Sequence, residues 1–239
     1  MKPLLCTLAL LGSLRCGVPA IAAEGLPVAP FQARYAVYAS GFAIGEAVVT
    51  LTAVGPNGYR MSSEVRPNGL VALLASGRID EQARGEIDHG AIRPLEYERQ
   101  LETGKKSGYM QLRFDWPAGQ VAARYNADQA LLPLTPGIVD PLSLQLRVMA
   151  DLQRGQVPGQ YRLIDKTEIK TYQIRNQGEE TLNTPLGEIR TVRINQYTPG
   201  KTRMTTFWVA PDRQFLLVQI AQEKDGKEEL RMELQAVTR

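Results

Sequence analysis

Asp140-Pro141-Leu142-Ser143-Leu144-Gln145-Leu146-Arg147-Val148-Met149-Ala150-Asp151-Leu152-Gln153-Arg154-Gly155 is the one stretch of this chain with a convincing helical pattern. Asp140 suits the N-cap, where its carboxylate accepts from the N–H groups of Leu142 or Ser143. Pro141 suits the first helical position, which needs no N–H. Gly155 follows as a C′ residue and Pro158 bars continuation. At 100° per residue Leu142, Leu146, Val148, Met149, Ala150 and Leu152 cover a broad apolar arc that also holds Gln145 and Gln153. Ser143, Arg147, Asp151 and Arg154 are expected on the opposite, polar side. The pattern predicts a helix over 140–154, roughly 20 Å long.

Around that helix the chain is patterned as strands. Phe31, Ala33, Tyr35 and Val37 alternate with polar or small neighbours and predict a half-buried strand. Similar runs follow at Glu46–Ala53, Tyr59–Arg66, Gly77–Asp88, Pro94–Thr103, Ser107–Trp116 and Val121–Tyr125. Reversals fall at Gly41–Gly45, Gly55-Pro56-Asn57-Gly58, Pro67-Asn68-Gly69 and Gly104-Lys105-Lys106. Leu70–Ala75 is ambiguous between a buried strand and one or two helical turns, with a lean to the helical or irregular reading. Ala127–Val139, with Pro133, Pro136 and Gly137, is expected to be a loop feeding the helix. After the helix come strands at Gln160–Asp165, Lys166–Gln177, Glu179–Thr184, Ile189–Tyr197, Thr202–Ala210, Phe215–Glu223 and Lys227–Val237. The last two are joined by Asp225-Gly226, a hairpin turn pair. About a dozen short strands and no βαβ alternation predict a mainly β protein. Its expected form is a curved antiparallel sheet or partly open β-barrel with one central helix packed on it.

The N-terminus predicts export. A short positive start, Met1-Lys2, precedes a mostly apolar run from Leu4 to Leu14 and a small-residue stretch from Val18 to Ala23. Arg15 keeps the apolar run too short for a membrane span, and no later stretch is long or apolar enough for one. Cleavage is expected after Ala22, with Ala23 as the alternative. That gives a signal peptide over 1–22, one β-rich domain over 23–239 and a periplasmic location. Lipidation at Cys16 is disfavoured, because the large, charged Arg15 stands where a small residue is required. Both cysteines, Cys6 and Cys16, leave with the signal, so disulfides, thiol nucleophiles and cysteine metal sites leave with them. Lys2 and Arg15 leave as well, and no acid does, which lowers the net charge from +3 to +1. The remaining charge balance gives no reason to expect nucleic acid as a partner.

Catalytic residue types are scarce. His89 is the only histidine; in Asp88-His89-Gly90 it reads as a solvated turn residue rather than a triad base. No Gly-x-Ser-x-Gly elbow is present, and one histidine with no mature cysteine does not assemble a zinc site. Ser143 stands three residues after Asp140 and reads as a capping or surface residue. Glu168, Glu179, Glu180 and Glu188, or Asp80, Glu81 and Glu86, supply carboxylates for a glycosidase-type pair, but acids on alternating strands usually form the solvated face. Gly41-Phe42-Ala43-Ile44-Gly45 lacks the spacing and the following helix of a dinucleotide loop. No cofactor or metal is expected.

Several segments in order resemble one exported bacterial family. They are Tyr35 with the Gly41–Gly45 turn, Ile92-Arg93-Pro94-Leu95-Glu96-Tyr97, Asp140-Pro141-Leu142-Ser143, Thr184-Pro185-Leu186-Gly187, and Phe207-Trp208-Val209-Ala210-Pro211-Asp212. The set resembles the family catalogued as domain of unknown function 3108, over about Phe31 to Ala236. The resemblance implies an exported, β-rich envelope protein of Gram-negative bacteria. It implies no established activity and no catalytic residues. The shape also resembles the half-barrels of the lipoprotein-carrier class.

The leading expectation is therefore a non-enzymatic binding module for a lipid or other apolar or amphipathic ligand. Leu142, Leu146, Met149, Phe207 and Trp208 are its candidate lining residues, and Asp140 is a structural cap. The alternatives are a structural or interaction protein with an envelope protein partner, and a carbohydrate-active enzyme using an acidic pair. The deciding feature is whether the interior is filled by side chains or hollow.

Overall fold

The structure, a computed structural model, describes residues 25–68, 77–103 and 106–239. The signal-peptide reading of residues 1–22, the Leu70–Ala75 segment and the Gly104-Lys105 tip lie outside the described residues. Before the helix the strands are β1 (Phe31–Ala39), β2 (Phe42–Val54), β3 (Gly58–Pro67), β4 (Gly77–Asp88), β5 (Ala91–Thr103), β6 (Lys106–Asp115), β7 (Gln120–Tyr125), β8 (Asp128–Pro133) and β9 (Ile138–Val139). The helix α1 (Pro141–Gln153) follows. Then come β10 (Gln160–Asp165), β11 (Glu168–Thr184), β12 (Gly187–Tyr197), β13 (Arg203–Ala210), a 3-10 turn at Pro211–Arg213, β14 (Leu216–Lys224) and β15 (Lys227–Thr238).

All fifteen strands belong to one sheet, in the order β8-β7-β6-β5-β4-β3-β2-β1-β15-β14-β13-β12-β11-β10-β9. Two antiparallel meanders, one on each side of the helix in sequence, are joined where the first strand pairs with the last. Ala33 faces Val237 and Val37 faces Met232 across that seam. Among the described residues the one parallel pair is β9 with β10. A parallel neighbour cannot be reached by a hairpin and needs a crossover, and α1 is that crossover. The expectation of no βαβ unit is thus corrected at this one place.

The sheet does not close by hydrogen bonds. β9 lies against β5 and β8 against β11, so the sheet rolls past its own edge. Ile138 and Val139 are fully buried as a result, and the β9 edge is kept from pairing with other chains. The fold is mainly β, with a large open sheet and one α-helix among the described residues, as the strand pattern predicts.

Ala127–Val139 differs from its expected loop by containing β8 and β9. Pro133 ends β8, which pairs only with β7; on an edge strand a missing N–H removes no ladder bond. The two predicted strands at Lys166–Gln177 and Glu179–Thr184 are one, β11. Its ladder to β12 slips between Asn176 and Glu179, where Gly178 adopts φ +92° and donates its N–H to Asn176 Oδ1 at 2.8 Å.

The alternating residues of β1 fill the concave face: Phe31, Ala33, Tyr35 and Val37 are buried. One core joins β1 to β7 with Leu142, Leu146 and Met149 of the helix. The helix packs on β3, β4 and β5 on one side and β10 on the other. Its two sides are therefore both covered, and the expected polar side is a correction: Ser143 and Asp151 are buried. The reason lies in what each meets: Ser143 lies against Tyr59 of β3 and Asp151 against Tyr161 of β10, while Arg154 stays exposed.

Gly85 on β4 leaves room for the Tyr59 ring, whose hydroxyl meets Ser143 of the helix. A Cβ there would lie 2.5 Å from Tyr59 Oη and 2.4 Å from the Arg93 carbonyl oxygen. The Tyr59 ring occupies the space a side chain would need. Gly85→Ala is expected to destabilise the protein by about 1–3 kcal/mol through overpacking, measured by urea unfolding. Gly159→Ala, where nothing lies within 4 Å, is the control and should leave the midpoint within the ordinary surface range of about 0.5 kcal/mol.

Candidate functional site

α1 packs into the core of β1–β7 on one side, and its Val148 and Leu152 join a smaller cluster with Val192, Ile194 and Val209 on the other. A cavity of about 440 Å³ lies between the helix and the concave face, with lining residues drawn from β2–β5 and from β10–β15. Its wall is chiefly apolar. Leu142, Val148, Met149 and Leu152 come from the helix, and Ile174, Ile194, Phe207, Val209 and Leu217 from the second meander. These positions follow from the strand period: on β13, Phe207 and Val209 share one face and Trp208 the other.

Leu142, Met149 and Phe207 of the candidate lining residues meet in this cavity. Leu146 is fully buried in the packed core and is not part of the cavity wall. Trp208 is placed on the other face of β13, where its indole N–H donates to Glu180 and Arg193 stacks on the ring at 5.7 Å. Adjacent strand residues cannot both point inward, so sequence alternation alone separates Phe207 from Trp208.

The acids behave differently from one another. Asp80 pairs with Arg66 at 2.5 Å, Glu179 with Arg190 at 3.5 Å, and Glu86 with Arg93 at 3.8 Å. Glu168 and Glu188 are exposed. Glu81 is the exception and a correction to the solvated-face expectation. It lines the cavity, accepts from Tyr97 Oη at 2.5 Å, and burial raises its pKa against the pull of Tyr97 and Arg99. Its parity with Ala83, Gly85 and Ile87 on β4 marks it as inward-facing in the sequence itself. The register places Ser63, Glu81 and Arg99 directly opposite one another on β3, β4 and β5, and all three line the cavity. His89 is 94% exposed, at 2.7 Å from Asp88 Oδ1, with φ +49°; it is a turn residue.

Beneath the cavity a buried polar chain ties helix to sheet. Asp140 Oδ1 accepts from the N–H groups of Leu142 at 2.9 Å and Ser143 at 2.8 Å. Asp140 Oδ2 accepts from Ser143 Oγ at 2.5 Å, and Ser143 Oγ lies 2.7 Å from Tyr59 Oη. With Ser143 donating to the carboxylate, Tyr59 donates to Ser143. Asp140 and Ser143 have no exposed surface, so this chain meets no substrate, and Ser143 is a buried link rather than a surface residue. At the other end of α1, Asp151 accepts from Arg154 at 2.5 Å, Arg147 at 3.1 Å and Tyr161 Oη at 3.1 Å. Among the described residues no group of three or more acids or histidines is placed to hold a metal ion, and no helix is long and apolar enough to cross a membrane.

The rolled sheet around a central helix defines a β-barrel-like protein with an internal cavity. The sequence profile of the family described as "Protein of unknown function (DUF3108)" matches residues 34–235; the chain belongs to that family. No curated protein matches it. Among solved structures it is similar to a β-barrel-like protein of the domain of unknown function DUF1849 from Brucella abortus. That match has 12% identity and a TM-score of 0.57, and covers 88% of this chain and 98% of that one. It is also matched to a lipoprotein of Parabacteroides distasonis at 10% identity and a TM-score of 0.38, over 90% of this chain and 97% of that one. The Brucella likeness is one of fold alone.

Burial pushes the Asp140 carboxyl up from 3.8 to about 6, against the lowering effect of its hydrogen bonds from Ser143 and Leu142. The folded protein thus holds a proton that the unfolded chain has released between about pH 4 and 6. This contribution to stability is fully present below pH 3.8 and is lost as pH rises through 6, with no further change above. Two pKa units correspond to about 3 kcal/mol. Asp140→Asn keeps a competent N-cap and cannot ionise. Urea unfolding between pH 4 and 7 is expected to show a difference between wild type and variant that shifts in the variant's favour by that order as pH rises. A pH-independent difference would refute the assignment.

Proposed function

We propose that this chain is a non-enzymatic binding module of the bacterial envelope, taking an apolar or amphipathic ligand into the cavity beside α1. The single observation behind this is the hollow of about 440 Å³ with its mainly apolar wall. Small-molecule sites fall at about 300–1,000 Å³ and combine an apolar lining with a few polar groups. The polar groups here are the Ser63–Glu81–Arg99 row, Gln145, Asp165, Gln196, Tyr161 and Tyr172. The signal pattern in residues 1–22 supports a periplasmic location, and residues 23–239 then act as one β-rich domain.

A carbohydrate-active enzyme draws less support. Of the seven acids with a catalytic reading, Glu81 alone lines the cavity. The other carboxylate there, Asp165, is held by Lys170 at 2.5 Å. A protein-docking role finds one favouring feature, Leu131 on the β8 edge, which is 65% exposed. Crosslinking in intact cells through position 131 is the test of that reading.

Protein purified from its native envelope is expected to release a stoichiometric apolar compound on solvent extraction, detected by mass spectrometry. The delipidated protein should then bind the neutral fluorophore N-phenyl-1-naphthylamine. Ile194→Trp, which places an indole in the cavity, is expected to weaken fluorophore binding at least about tenfold while unfolding cooperatively. Unchanged binding in that variant would refute the cavity as the site.

A further inference from the structure

We propose that the ligand is a single-chain amphipath with a monoanionic carboxylate head, the head held by Arg99 and Gln145 and the chain lying along Val148, Met149, Ile194 and Phe207. This rests on the cavity being a binding site and specifies its occupant.

The first observation is an arginine without a partner. On β3–β5, Arg66, Arg78, Arg84 and Arg93 each have a carboxylate within 3.1 Å, and Arg60 is exposed and outside the cavity. Arg99 makes no hydrogen bond or ion pair with any described residue, although it lines a mainly apolar cavity. Glu81, directly opposite on β4, lowers its own charge cost through Arg99 but hydrogen-bonds Tyr97 instead. The guanidinium therefore retains its planar fork of donors, the geometry that matches a carboxylate bidentately.

The second observation is independent and comes from the helix. Gln145 lines the same cavity, and its Nε2 is buried without a hydrogen-bond partner. Its amide makes no hydrogen bond at either end with the described residues, and rotation exchanges the two ends. An unpaired buried donor costs about 1–3 kcal/mol, and a ligand oxygen removes that cost. Ser63 Oγ adds a third donor in the row. Donors in excess of acceptors select an oxygen-rich anion over an alcohol or an amine. Glu81 sets the upper limit of charge: a dianionic phosphate facing Arg99 would also face that carboxylate, whereas a carboxylate brings a single charge.

The test is displacement of N-phenyl-1-naphthylamine from delipidated protein by dodecanoate, dodecanol and dodecyl phosphate at pH 7.5. Dodecanoate is expected to bind at least about tenfold more tightly than dodecanol, the value of one charge-assisted hydrogen bond. Arg99→Gln should remove that preference and leave dodecanol unchanged. Gln145→Leu, a conservative change on a helix, should reduce the preference without abolishing it. Equal affinity for acid and alcohol in the wild type overturns the head-group assignment and leaves the cavity reading standing, as does a loss of both in Arg99→Gln. Tighter binding of dodecyl phosphate than dodecanoate overturns the carboxylate. Failure of the fluorophore and all three compounds to bind overturns the cavity reading itself.

Discussion

The buried run from Asp140 through Ser143 to Tyr59 is the constraint on which the rest of this structure depends. A helix placed inside a rolled sheet must satisfy its first N–H groups without water. Here the cap residue does so, and its remaining oxygen is passed through Ser143 to a tyrosine on β3. Asp140 belongs to the crossover between β9 and β10, and Tyr59 to the first meander. One short polar chain therefore fixes the helix's end, its depth and the side on which it packs. Gly85 completes the arrangement by leaving room for the Tyr59 ring.

That placement divides the interior unequally. The helix presses Leu142, Leu146 and Met149 into the core of β1–β7, where large side chains close the space. On the other side, Val148 and Leu152 join a smaller apolar cluster with Val192, Ile194 and Val209 of the second meander, and the space beside that cluster is left open. A fifteen-stranded roll encloses more volume than one helix fills, consistent with the rule that barrel bore grows with strand number. The sheet answers with overlap at its edges rather than closure. β9 is turned inward, buried and unavailable for pairing, and β8 is left outside.

Much of this was legible in the chain. The cap, Pro141 and Gly155 bound the helix to within a residue, and hydrophobic alternation located most strands. The Ala127–Val139 region was not legible, because Pro133 signals a break and only the edge position of β8 makes it harmless. The burial of Ser143 and Asp151 was hidden for a different reason. Helical periodicity reports which residues share a side, but not whether a second layer covers the polar one. Glu81 and Trp208, by contrast, were within reach. The period of two puts Glu81 with Ala83 and Ile87 on the inward face, and puts Trp208 opposite Phe207.

The same period bears on the cavity's chemistry. An inward position on a strand buried on its concave face is ordinarily apolar, and β4 and β5 keep to this at Ala83, Ile87, Ile92 and Tyr97. The departures are concentrated in one cross-strand row, Ser63–Glu81–Arg99. Scattered polar residues would each need a separate explanation; a contiguous row needs one. Arg99 is half-buried and faces Glu81 across the strands, so apolar packing alone does not call for either residue there. Arg99 and Gln145 line the same cavity, and neither side chain has a hydrogen-bond partner among the described residues; the proposed ligand rests on that pairing.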